Sequence, residues 1–132
     1  MTPPRRRRRS RQLTPMELEI MRVLWSEGPC TVQDVQARLP GPRLAYNTVQ
    51  TVLTILWRKK QVTRTRRGRA FVHQPAVTRQ RTARTALREL IATLFEGSPG
   101  ALMMAVLGHE PLTRDEIRRI RRMLRQHDDD SA

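Results

Sequence analysis

Residues 46–75 read YNTVQTVLTILWRKKQVTRTRRGRAFVHQP, and the hydrophobic period changes midway through them. Over the first half, Val49, Val52, Leu53 and Leu56 stand at i, i+3, i+4 and i+7, the spacing of one helix face. This predicts a helix from about Tyr46 to Lys60, with Asn47, Thr51, Thr54 and Arg58 on the opposite face, flanked by Thr48 and Gln50. Val62-Thr63-Arg64-Thr65-Arg66 then alternates and is rich in β-branched residues. Arg67-Gly68-Arg69 reads as a tight turn, and Ala70-Phe71-Val72-His73-Gln74 as a second strand closed by Pro75. A helix running into a β-hairpin with a basic tip is predicted.

Two more helices precede it. Thr14 suits an N-cap, Pro15 the first helical position and Glu17 the third, which makes a capping box; Leu13 and Leu18 occupy the positions of a hydrophobic staple. Leu18, Met21, Leu24 and Trp25 continue the apolar face until Gly28-Pro29 stops it. A second helix begins at Thr31, with Asp34 three residues on, carries Val32, Val35 and Leu39, and ends at Pro40-Gly41-Pro42. Three helices followed by a hairpin is the order of a winged helix-turn-helix. The fold class expected is mainly α with a small β-hairpin, the winged domain covering residues 13–76.

The chain after the hairpin returns to a helical period. Ala83, Ala86, Leu87, Leu90, Ile91 and Leu94 share one stripe. Ser98-Pro99 opens a helix bearing Leu102, Met103, Val106 and Leu107 and ended by Gly108; Thr113-x-x-Glu116 opens another with Ile117, Ile120 and Leu124. Three short helices cannot easily bury all these faces within one chain. Residues 77–127 are therefore read as a helical dimerisation region, and a C2 dimer would cover Leu87, Leu90, Ile91, Leu94, Leu102, Met103, Val106, Leu107, Ile117, Ile120 and Leu124. A three-helix subdomain of a monomer is the alternative. Residues 1–12 are expected to be a disordered basic arm, and 128–132 an acidic tail.

Charge narrows the partner. Lys and Arg number 26 against 12 Asp and Glu, a net +14, which calls for a polyanion: nucleic acid or an anionic membrane surface. No acidic residue occurs between Asp34 and Glu89, while Arg38, Arg43, Arg58, Lys59, Lys60, Arg64, Arg66, Arg67, Arg69, Arg79, Arg81, Arg84 and Arg88 do. Such a stretch attracts phosphates without internal cancellation. No apolar run approaches the roughly 18 residues of a membrane span. The N-terminal MTPPRRRRRSRQ has no apolar segment after it, so a secretory signal is not expected. The single cysteine, Cys30, permits no internal disulfide and fits a reducing cytoplasm.

In a helix-turn-helix the second helix of the motif enters the major groove. Asn and Gln can bond adenine bidentately, and Thr can donate, accept or touch a thymine methyl. Asn47, Thr48, Gln50, Thr51 and Thr54 therefore fit base reading. Arg66, Arg67 and Arg69 at the hairpin tip would reach a phosphate or the adjacent minor groove. The Tyr46 hydroxyl would add a phosphate contact, and Arg43, Arg58 and Lys59 would flank the groove. The N-terminal arginines read as non-specific ballast or a minor-groove arm, the former preferred. The chain has no glycine-rich phosphate loop, no paired carboxylates on a helix face, and no metal spacing among His73, His109, His127 and Cys30, so neither an enzyme, a metal nor a cofactor is expected. Cys30 precedes a helix N-terminus, where it is a redox thiol or, preferably, a structural half-buried one. Met103-Met104 reads as core or interface.

These residues resemble the penicillinase-repressor family (BlaI/MecI/CopY type). Leu13 to Trp25 (LTPMELEIMRVLW) is similar to its opening helix, Tyr46 to Leu53 (YNTVQTVL) to its recognition helix and Gly68 to Pro75 (GRAFVHQP) to its wing. Phe95-Glu-Gly-Ser98, Leu112 and Glu116-Ile117 resemble its dimerisation region. The resemblance implies a homodimer that represses transcription from a dyad-symmetric operator in double-stranded DNA; release by proteolysis, by a ligand or by a sensor or protease partner is left open. Family members usually carry Arg late in the recognition helix, where this chain has Ile55, and end that helix Lys-Gly, where it has Lys59-Lys60. Ala105-Val106 stands where β-lactam-responsive members are cut at Asn-Phe, and the cysteine-rich tail of copper-responsive members is absent. The readings left beside a sequence-specific repressor are a nucleoid-type protein that binds DNA without reading it and a winged-helix protein-interaction module.

Overall fold

The computed structural model describes residues 13–131, so the basic arm expected over 1–12 lies outside the described residues. Helix α1 spans Pro15–Glu27 and opens on the expected capping box. The Glu17 amide donates to Thr14 Oγ1 at 3.2 Å, and the Thr14 amide donates to Glu17 Oε1 at 3.0 Å. Gly28, at φ 83°, ends the helix. α2 (Val32–Arg38) repeats the device with Thr31 and Asp34, and α3 covers Tyr46–Arg58. β2 (Val62–Arg67) and β3 (Ala70–Pro75) make the hairpin.

The sequence reading missed one strand. Cys30–Thr31 forms β1, which pairs antiparallel with β3 and gives a three-stranded sheet in the order β1-β3-β2. Two residues carry no readable period. Pro75 also lies inside the ladder, opposite Val62, at the end of β3 and beyond the reach of β1; a missing N–H is tolerated at a strand end. α1, α2, α3 and the sheet enclose one core. Ile20, Met21, Leu24, Val35, Val49, Leu53 and Leu56 are all fully buried there, with Val62 closing it from β2. Each such side chain stabilises by about 1.5–3 kcal/mol.

α3 ends two residues earlier than its period suggested, and the cause is a complete Schellman motif. The Lys60 amide donates to the Trp57 carbonyl at 3.0 Å and the Gln61 amide to the Leu56 carbonyl at 2.9 Å. Lys60 therefore sits at φ 62°, the left-handed position that favours glycine. Lys60→Gly is expected to raise the melting temperature, by relief of about 1 kcal/mol. A melting point unchanged or lowered in calorimetry would show that Lys60 carries no such strain.

The chain divides into two compact units between Glu89 and Leu90, within α4 (Arg79–Leu94). In the first unit the Trp25 indole N–H donates to the Val77 carbonyl at 3.0 Å, tying α1 to the segment that leads into α4. The second unit continues with α5 (Pro99–His109) and α6 (Arg114–Ser131), capped by Ser98 and by a Thr113–Glu116 capping box. No residue of α5 or α6 is buried. α6 runs through Asp128, Asp129 and Asp130, which the sequence reading set apart as a tail. Neither glycine nor proline follows Gln126 to stop it, and Ser131 Oγ donates back to the His127 carbonyl at 2.8 Å.

Candidate nucleic-acid interface

The two faces of α3 divide as their period requires. Val49, Leu53 and Leu56 are buried, while Asn47, Thr48, Gln50, Thr51 and Arg58 are exposed and Thr54 is half-buried. The threonine hydroxyls are partly committed. Thr51 Oγ1 donates to the Asn47 carbonyl at 2.8 Å and Thr54 Oγ1 to the Gln50 carbonyl at 2.9 Å. Their protons are thus used inside the helix, and what they offer outward is acceptor lone pairs and methyl groups. The Asn47 and Gln50 side-chain amides have no hydrogen-bond partner among the described residues and are open to bidentate bonding. Ile55, not among the expected contacts, is exposed one turn beyond Thr51.

The N-terminus of α3 differs from those of the other helices. Thr14, Thr31, Thr78, Ser98 and Thr113 each accept from an amide three residues on. The N-cap of α3 is Ala45, which offers no side-chain bond. Ala45 O takes the Thr48 and Val49 amides, and the Tyr46 and Asn47 amides have no partner among the described residues. The turn leading in is braced instead: Gln36 Nε2 donates to the Leu44 carbonyl at 2.8 Å, and Arg43 Nη2 donates to Gln36 Oε1 at 3.4 Å. Arg43 and Tyr46 stand exposed beside the open end.

Beyond α3, the wing turns on Gly68 and Arg69, Gly68 at φ 64°, the first position of a tight hairpin turn that needs positive φ. Arg66, Arg67 and Arg69 are exposed at this tip. Arg64, which the sequence reading counted only as charge, lies with its guanidinium carbon 3.8 Å from the Trp57 ring centroid and 4.5 Å from that of Phe71. Alternation alone places Arg64 and Arg66 on one face; only the observed register adds Phe71 to it.

Two titratable groups meet where β1 pairs with β3. Cys30 and His73 are paired across β1 and β3, both buried. Burial, then the Asp34 and Glu27 carboxylates, push the Cys30 thiol up, against Arg38. A thiol so placed is poorly nucleophilic, which favours the structural reading of Cys30. Burial and the Arg64 charge hold His73 below its ordinary value, against a hydrogen bond with the Cys30 backbone, and Nδ1 has no partner among the described residues. The unfolded chain thus binds the proton more tightly than the folded one. Stability is expected to be full above about pH 6.5 and to fall as pH drops below it toward the folded value. His73→Leu should flatten that part of a melting-temperature profile. An equally steep profile in the variant would assign the loss elsewhere.

The expected dimer contacts separate by exposure. Leu87, Leu94, Met103, Val106, Leu107, Ile117 and Leu124 are exposed, whereas Leu90, Ile91, Leu102 and Ile120 are half-buried. Met104, read together with Met103 as core or interface, is 69% exposed, and Met123, which the reading did not include, is 70% exposed. Among the described residues no group of three or more His, Cys, Asp or Glu is placed to hold a metal, and no single helix is long and apolar enough to cross a membrane.

Three helices, the second and third forming a helix-turn-helix, and a basic wing define a winged-helix DNA-binding regulator. The chain belongs to the penicillinase repressor family, whose model matches residues 13–126; these are transcriptional repressors, not enzymes. It is 23% identical over 117 residues to the penicillinase repressor of Bacillus licheniformis, covering 88% of this chain and 91% of that one. Among solved structures, the DNA-binding domain of the repressor BlaI is 29% identical over 52% of this chain and 84% of its own, with a TM-score of 0.47. BpsR of Bordetella bronchiseptica, whose DNA binding is regulated by 6-hydroxynicotinic acid, is 20% identical over 89% of this chain and 76% of its own, with a TM-score of 0.45.

Proposed function

We propose that this protein is a homodimeric repressor that reads a dyad-symmetric operator in double-stranded DNA, in the cytoplasm and on the nucleoid. Residues 13–76 bind DNA and residues 77–127 dimerise. The observation that carries the reading is the makeup of α3: uncharged hydrogen-bonding side chains cover its outer face, and its N-terminal amides are open. A helix face used only for charge attraction would be lined with Lys and Arg. Here Asn47 and Gln50 suit adenine edges, Thr51 and Thr54 suit a base donor or a thymine methyl, and Thr48 lies beside them. Tyr46, Arg43 and Arg58 meet phosphates at either end, and Arg66, Arg67 and Arg69 reach the neighbouring groove. Ile55, where the resemblance would place an arginine, presents an apolar contact that suits a thymine methyl and alters the sequence read. The helices after the wing support the dimer, because their large apolar side chains are uncovered in one chain.

Selection from a random duplex library at about 0.15 M salt tests this. Enrichment of a two-fold symmetric site is the expected result. On that site Asn47→Ala should cost about 1–3 kcal/mol and relax one position per half-site. Recovery of unenriched sequence would replace the reading with charge-driven binding, whose affinity would collapse on deletion of residues 1–12.

A further inference from the structure

We propose that Arg64 is a pre-ordered phosphate clamp between the recognition helix and the wing, gripping the sugar–phosphate strand that separates the two grooves. The inference rests on the DNA-binding reading above and adds a contact to it. The guanidinium is held between Trp57 of α3 and Phe71 of β3, at 3.8 and 4.5 Å from their centroids. Both rings remain substantially exposed, at 41% and 39%, so the clamp lies at the surface and not in the core. Arg64 makes no ion pair and no side-chain hydrogen bond among the described residues. Five N–H donors are therefore fixed in direction by stacking while none is occupied.

Position supplies the ligand. An element in the major groove joined to one in the adjacent minor groove must straddle the phosphate strand between them. Arg64 sits where α3 and the hairpin meet, between the base-reading face and the arginines of the tip. A free arginine loses rotamer entropy when it takes a phosphate; one already stacked loses little. Cation–π stacking also leaves the guanidinium edge open for a bidentate bond. Arg66 is 5.8 Å from the same Phe71 ring, and so shares the aromatic support without being enclosed by it.

The test is the salt dependence of binding by the full chain, with two probes: the duplex enriched by selection and a 30-base-pair duplex of random sequence. Arg64→Met keeps the stem and removes the charge. It should weaken both probes, roughly 10- to 100-fold at about 0.15 M salt, and flatten the slope of log affinity against log salt by about 2 per dimer, one contact from each protomer. Arg64→Lys keeps the charge but not the planar stack, and should retain the slope while losing several-fold in affinity. Trp57→Leu should behave as the lysine variant does. Calorimetry confirms that each variant folds. Unchanged affinity and slope in Arg64→Met would reduce Arg64 to a packing residue. Wild-type affinity in Arg64→Lys would remove the stack from the mechanism. Failure of the selection to enrich a sequence would sink the operator reading, while the random duplex still tests the clamp.

Discussion

Glu17→Ala is expected to lower the stability of the winged unit by about 2–4 kcal/mol and to lower its melting temperature by several degrees or more. Glu17 is 3% exposed and does two things at once. Its carboxylate closes the capping box of α1, and it meets Lys59 Nζ at 2.9 Å, which ties the start of α1 to the end of α3. Burial pushes the carboxyl up, but the bonds from Lys59 and Thr14 outweigh it and hold it below its ordinary value. Its contribution is therefore full above about pH 4.3, the unfolded value, and is lost as pH falls through the folded one. Truncation removes the cap and strands the Lys59 charge. Lys59 keeps some access to water, which places the effect below that of a fully enclosed pair. Glu17→Gln keeps an acceptor for the Thr14 amide and should lose about half as much. A melting point for Glu17→Gln equal to that of the unsubstituted protein would show that the ion pair contributes nothing.

On the proposed dimer and operator, Leu94→Asp is expected to leave the protein monomeric and to weaken operator binding by about 100-fold or more, since an aspartate caught in an apolar interface costs about 3 kcal/mol or more. Leu94 is 72% exposed in the single chain, so the substitution leaves its own fold unstrained. Sedimentation equilibrium and a duplex titration read the two consequences separately. A variant that stays dimeric places the interface on another face. A variant that becomes monomeric and keeps full operator affinity removes the dimer from the reading.

What the sequence discloses follows from how local each feature is. The capping boxes at Thr14 and Thr31, the α3 stripe and the hairpin are legible because period and turn chemistry act within a few residues. β1 is invisible because Cys30 and Thr31 become a strand only by lying against Val72 and His73. The Glu17–Lys59 pair is hidden likewise: its partners are 42 residues apart, and each already had a local explanation. Lys60 shows a local rule overruled, since the Schellman bonds at the end of α3 impose a left-handed residue where no glycine is present. At the candidate interface, residue type pointed to Asn47, Gln50 and the wing arginines. Arg64 needed the register that carries it to Phe71 and Trp57, and the committed hydroxyls of Thr51 and Thr54 needed the folded helix.

The uncapped start of α3 links recognition to folding. On each remaining helix a hydroxyl of the chain takes the amide of the third residue; on α3 none does, and in the proposed complex a phosphate of the target would meet the Tyr46 and Asn47 amides with no cap beside them. That first turn is then finished by the target and not by the chain. Amide exchange at Tyr46 and Asn47 becomes a residue-level titration of occupancy, fast until the duplex arrives and slow afterwards. Any substitution of Ala45 by serine or aspartate, which would cap the helix from within, trades affinity for the stability of an unoccupied repressor.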